Sequence, residues 1–195
     1  MIALRKVKLG KFSIALMKAI AIGLPIIIHL PALEKSVAEQ PRLQPSKLAQ
    51  LAYFQGNWVC QVQDVGTTAS ELAGKMNWSV TAQTGKRSYR VQGTYVRNRE
   101  PNKKILIQGF MTYNAASDRF MQTVLANDGS KLIFNSVGWQ KEKFVWQGVQ
   151  TMQEGDYILR RTITRKSERT FEASYAALNP INSQWYSVTN LVCTK

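Results

Sequence analysis

The sequence predicts an all-β protein: a roughly ten-stranded antiparallel up-and-down β-barrel with a short N-terminal helix, preceded by a signal peptide. Three observations carry that expectation. From Trp58 to Cys193 apolar residues alternate with polar ones, in segments about 8–14 residues apart divided by turns bearing Gly, Asn, Asp or Pro. No helical stretch of a dozen residues separates the strands, which argues against a parallel sheet, whose crossovers need such stretches. The only two cysteines, Cys60 and Cys193, fall on the first and last strands. A meander that closes into a barrel places those strands side by side. A two-sheet sandwich is the alternative that also brings its ends together.

The elements follow in order. Residues 1–18 hold Arg5, Lys6, Lys8, Lys11 and Lys18 and no acid, and residues 19–33 are almost entirely apolar. Ser36-Val37-Ala38 then places small residues where a signal peptidase reads. Basic start, apolar middle and small-residue site form the secretory pattern, so 1–38 is read as a signal peptide. The apolar run has 15 residues and two prolines, short of the roughly 20 that a spanning helix needs. An uncleaved N-terminal anchor remains the alternative, because the basic segment is long for a signal peptide. No cysteine lies near the apolar run to carry a lipid. The expected location is therefore periplasmic, extracellular or lumenal, with a membrane-anchored form as the alternative.

Residues 39–46 read as a polar linker, and 47–195 as the barrel. Ser46 is placed to cap a short helix over Lys47–Gln55 that Gly56 stops. Trp58, Cys60 and Val62 start the period-two pattern, and residues 65–74 read as a loop. Met76, Trp78, Val80 and Ala82 share a face. Tyr89, Val91, Gly93 and Tyr95 follow, then a turn over Asn98–Asn102 containing Pro101. Ile105, Ile107, Gly109 and Met111 come next, ending at Asn114–Asp118. Arg119–Asn127 closes on Asp128-Gly129, a strong hairpin signal. Leu132, Phe134 and Ser136 precede Phe144, Trp146 and Gly148. Tyr157–Arg165, Thr170–Ala177 and Gln184–Cys193 complete the set.

The chain has 26 Lys+Arg and 12 Asp+Glu, a formal net charge of +14. Without residues 1–38 it keeps 20 basic and 11 acidic residues, a net of +9. Apolar residues make up 45% and charged residues 19%, a folding composition rather than a disordered one. The only histidine, His29, lies in the leader. The barrel segment therefore lacks the usual general base, the partner of Ser-His and Cys-His nucleophiles, and the commonest zinc and haem ligand. An even cysteine count in an exported chain suggests a Cys60–Cys193 disulfide, with two buried free thiols as the alternative.

The string Leu48…Leu51…Phe54-Gln-Gly-Asn-Trp58 resembles the start of lipocalin-like (calycin) barrels. The resemblance implies a short helix that leads through Gly-x-Trp into the first strand and plugs the barrel end. Ile107-Gln-Gly109…Tyr113-Asn-Ala-Ala-Ser-Asp-Arg-Phe120 and Ser136-Val-Gly-Trp139…Phe144-Val-Trp146-Gln-Gly148 are similar to a family of uncharacterised, often exported bacterial proteins that pair a tyrosine-led turn with a Gly-Trp hairpin. The likeness spans most of residues 47–193 and is diffuse. The architecture also resembles nitrobindin-type haem barrels, but no histidine of the barrel segment matches their axial ligand. Haem is not carried over, and no cofactor or metal is expected.

The candidate ligand-binding residues are Trp58, Trp78, Trp146 and Arg161. Aromatic walls with a few polar anchors suit small-molecule sites, and the alternative is that the tryptophans are packed core. Arg161 shares a strand face with Leu159 and Ile163. If that face points inward, the guanidinium needs an acceptor, for which a ligand carboxylate or phosphate has the geometry; the alternatives are the opposite register or an internal tyrosine or carbonyl that satisfies it. Lys86, Arg87, Arg90, Arg97, Arg99, Lys103 and Lys104 form one basic cluster, and Arg165, Lys166 and Arg169 another. They suit anionic envelope components or a solvated face; export argues against nucleic acid. Glu154 and Asp156 flank a turn glycine, Glu172 is expected to face out, and no nucleophile elbow, phosphate loop or metal-ligand cluster occurs. The expected function is non-catalytic binding of a small apolar or amphiphilic ligand. The alternative is a structural or adaptor barrel of the cell envelope that uses its basic surface. The sequence specifies no oligomeric state.

Overall fold

The computed structural model describes residues 45–65 and 72–195. The leader expected over 1–38 and nearly all of the linker expected over 39–46 lie outside those residues. The chain opens with a single α-helical turn, Pro45–Leu48, that tightens at once into a 3-10 helix, Ala49–Phe54. It starts two residues earlier than the sequence suggests, so Ser46 lies inside the helix instead of capping it. Leu48, Leu51 and Phe54 are buried against the barrel.

Eleven strands follow: β1 (Gly56–Asp64), β2 (Leu72–Ala82), β3 (Ser88–Arg97), β4 (Glu100–Asn114), β5 (Arg119–Ala126), β6 (Lys131–Ser136), β7 (Trp139–Gln140), β8 (Lys143–Met152), β9 (Gly155–Ser167), β10 (Thr170–Leu178) and β11 (Trp185–Thr194). All the pairings are antiparallel. The order runs β6-β5-β4-β3-β2-β1-β11-β10-β9-β8, and β6 also pairs with β8. The sheet is thus a closed ten-strand barrel, with the two-residue β7 attached to β8 only. Closure leaves no free strand edge, which is what a sheet this long needs.

The first and last strands lie side by side, with Cys60 directly opposite Cys193. The two form a disulfide with Cα atoms 4.0 Å apart, both residues buried. Two boundaries differ from the sequence reading. β2 begins at Leu72, inside the expected 65–74 loop. β4 begins at Glu100, so Pro101 belongs to the strand and not to the turn. The pairing register of β3 and β4 shifts between Val96 and Arg97, and proline is tolerated at the irregular start of a strand.

The long strands turn alternate side chains inward, as the period of two requires. Gly109 and Gly148 occupy inward positions where neighbouring backbones approach closely: a Cβ at either would run into the carbonyl oxygen of Thr123 or Ile133.

The two ends differ. At one end the helix sits among the β2–β3, β4–β5, β6–β8 and β9–β10 connections. Phe54 stacks on Trp139 (5.6 Å between ring centres, 14° apart) and meets Phe144 edge-on at 5.4 Å. Trp58 meets Phe171 at 4.6 Å. Trp58 Nε1 donates to the Phe54 carbonyl (2.8 Å), and Trp139 Nε1 to the Gln50 carbonyl (2.9 Å). Gln50 returns its side-chain oxygen to the Trp139 backbone N–H at 3.1 Å. Asp118 accepts from Tyr113 (2.5 Å) and from Lys47 (3.1 Å), tying the helix to the β4–β5 turn. This is a solid aromatic plug. Among the described residues nothing covers the other end.

Candidate functional site

The open half of the barrel holds a cavity of about 1220 Å³, larger than the roughly 300–1,000 Å³ of ordinary small-molecule pockets. Its middle is apolar: Met76, Ile105, Ile107, Val124, Leu132, Leu159 and Leu191 line it from six strands. Its rim carries Asp64, Arg97, Arg99, Glu100, Asp128, Tyr157 and Tyr186. On each strand the lining stops where the plug begins. The deepest lining residues include Trp78, Val91, Gln122 and Arg161, which form the floor.

Arg161 is 7% exposed. It faces inward with Leu159 and Ile163, both buried, because all three occupy alternate positions of β9. Its Nη2 donates to the Gln122 side-chain oxygen and its Nη1 to the Tyr175 hydroxyl at 3.3 Å. The guanidinium lies 5.3 Å from the centre of the Phe134 ring and 5.6 Å from that of Trp146. Its Nε–H is buried and has no acceptor among the described residues, and the same holds for the indole N–H groups of Trp78 and Trp146. Among the described residues no carboxylate forms an ion pair with Arg161.

The four candidate residues are therefore not all in one place. Trp78 and Arg161 line the cavity floor. Trp146 lies fully buried beneath the guanidinium. Trp58 belongs to the plug, where its indole N–H is already bonded to the helix. Sequence reasoning missed Gln122 and Tyr175, which hold the arginine in place. The available signal was a glutamine between Phe120 and Val124 on an inward face, and a tyrosine between Ala173 and Ala177.

The basic clusters also divide differently. Arg87 and Arg90 lie toward the plugged end, with Arg165, Lys166 and Arg169, whereas Arg97, Arg99, Lys103 and Lys104 lie at the open rim. Glu100 is within 3.5 Å of Arg97 and 4.0 Å of Lys103. Glu172 is exposed and pairs with Lys166 at 2.9 Å. Among the described residues no group of three or more His, Cys, Asp or Glu side chains comes together. The cavity wall contains no histidine, so its residues do not fit a histidine-ligated haem. Among the described residues no helix is long and apolar enough to cross a membrane.

No protein-family model matches the chain. No curated protein matches it either. Among solved structures the chain is similar to the crystal structure of Rv2717c from M. tuberculosis, with 12% identity and a TM-score of 0.56 over 78% of this chain and 98% of that one. At that identity the likeness is one of fold: a closed antiparallel β-barrel of ten strands.

Proposed function

We propose that this protein is an exported, non-catalytic barrel of the lipocalin-like kind that binds a small apolar or amphiphilic molecule in its open half. The observation that carries the reading is the cavity: a pre-formed, largely apolar space of about 1220 Å³ beneath a polar rim. Such spaces with few convergent polar groups are the usual form of small-molecule sites. The helix leading through Gly56-Asn57-Trp58 into β1 as a plug supports the lipocalin-like comparison. The Cys60–Cys193 disulfide supports export, since such bonds persist in oxidising compartments.

The test is a fluorescence titration of the full chain with the neutral probe N-phenyl-1-naphthylamine. Binding is expected, and Val124→Trp, which fills the cavity from β5, is expected to weaken it at least about tenfold, a loss of roughly 1.4 kcal/mol. Absence of binding, or equal binding by Val124→Trp, overturns the reading.

Charge distribution favours the adaptor as the second reading. Strand ends and turns at the plugged end carry Arg87, Arg90, Arg119, Lys141, Lys143, Arg165, Lys166 and Arg169 against Asp118, Glu142, Glu168 and Glu172. A surface of that sign attracts anionic envelope components. Cosedimentation with anionic but not neutral vesicles, abolished by salt, is its expected signature; equal behaviour with both removes it.

A further inference from the structure

We infer, resting on the cavity reading above, that the ligand is a monoanionic amphiphile of the carboxylate class, and that it enters head first to pair with Arg161 on the floor. A guanidinium stays charged at every physiological pH and offers five N–H donors. Arg161 is 93% buried, and its protein acceptors, the Gln122 amide oxygen and the Tyr175 hydroxyl, are both neutral. They fix the direction of the fork without neutralising it. A buried charge without a counter-ion is costly. The acids of the cavity wall, Asp64, Glu100 and Asp128, stand at the rim and form no ion pair with it. Among the described residues no carboxylate neutralises it, and the negative partner is assigned to the ligand.

The same floor sets the charge of the head. One guanidinium balances one negative charge. Trp78, the aromatic residue of the same floor, adds no charge. A dianionic phosphate monoester would leave one charge facing apolar walls. The free Nε–H of Arg161 gives a carboxylate a charge-assisted contact of the strongest kind. Behind the head, the apolar middle of the cavity takes a hydrocarbon body whose far end lies near the rim.

The experiment uses the full chain with dodecanoic acid, dodecanol and dodecyl phosphate, each displacing N-phenyl-1-naphthylamine. The acid is expected to bind about 10- to 100-fold more tightly than the alcohol, the scale of a hydrogen bond to a charged group, and more tightly than the phosphate ester. Arg161→Met is expected to lower the acid to the level of the alcohol measured in the same variant. In the unaltered protein the preference for the acid should vanish as pH falls through the carboxylic range, about pH 4 to 5; this arm decides the matter if the variant does not fold. Equal binding of acid and alcohol, a preference that survives in Arg161→Met, or a tighter phosphate ester overturns the inference while the cavity reading stands. Failure of the neutral probe itself to bind overturns the cavity reading and the inference with it.

Discussion

The two halves of this barrel are built from the same ten strands and the same alternation, yet one is solid and the other hollow. In the plugged half the inward positions carry Trp58, Tyr113, Phe120, Phe144, Trp146 and Phe171, all buried, and the helix adds Leu51 and Phe54. In the open half they carry Ala73, Met76, Ile105, Ile107, Val124, Ala126 and Leu132, which surround the cavity instead of meeting across it. A barrel of ten strands is too wide for aliphatic side chains to meet across it. Rings fill it only where a helix is laid over the end. Inward orientation and tight packing are therefore separate properties, and the second depends on side-chain volume at each level.

The sharpest way to break that contrast is to truncate one side chain in each half. Phe144→Ala is expected to cost about 3–5 kcal/mol, since the surrounding rings cannot close over the space left behind. Leu132→Ala, facing the cavity, is expected to cost about 1 kcal/mol, because little packing is lost. Urea unfolding of both variants checks the pair, and equal losses would erase the distinction between plug and cavity.

The disulfide belongs to the plugged half, with Cys193 opposite Phe171. Replacing both cysteines by alanine is expected to lower stability by about 2–5 kcal/mol. The affinity of the remaining folded molecules for a cavity probe should stay the same. A fall in affinity that exceeds the unfolded fraction would show that the hollow half depends on the staple as well.

Tyr53 tests the plug from the alkaline side. Burial pushes its hydroxyl up from 10.0 to about 12, against the opposing pull of Arg165. Its O–H lies 3.0 Å from the carbonyls of both Ser167 and Thr170. A folded value above the unfolded one means that the stabilisation is complete below pH 10 and is lost as pH rises toward 12. Tyr53→Phe should flatten that alkaline decline in a series of thermal melts. An unchanged decline would place its cause outside the plug.

The smallest effect is expected at the helix tie. Hydrogen bonds from Tyr113 and Lys47, with the charge of Lys47, hold the Asp118 carboxyl below its ordinary 3.8. A depressed folded value gives stabilisation that is present above the ordinary carboxylate range and lost as pH falls through the depressed one. Because the pair is exposed, Asp118→Asn should lower the melting temperature only slightly near neutral pH, and wild type and variant should converge in acid. Divergence at low pH would count against the tie.

The sequence made one coordinate of each residue legible and hid the other. Alternation reports which face a side chain occupies. It placed Arg161 beside Leu159 and Ile163, and the structure has all three facing inward. It also placed the cysteines on the strands that meet. Alternation does not report height along the barrel axis, which depends on strand tilt and stagger set by every pairing at once. For that reason Trp58 and Trp78, directly paired across β1 and β2, were expected in one cavity, although Trp58 belongs to the plug. For the same reason the basic cluster from Lys86 to Lys104 divides between the two ends, since β3 runs the length of the wall. The contact between Gln50 and Trp139 joins residues 89 apart, and no local pattern announces it.

The meeting of β1 and β11 also governs the time the barrel needs to form. The other strand pairs join neighbours or near neighbours in the chain and can zip from their turns. Closure alone joins residues 133 apart, and bringing distant segments together is the slow part of assembling a sheet, because the loop entropy is lost before the contacts compensate it. With the cross-link in place the two rims never separate far, even in the unfolded chain. The step that would otherwise limit the rate becomes one more short-range encounter, and the interval during which ten unpaired strand edges are open to other chains is shortened accordingly.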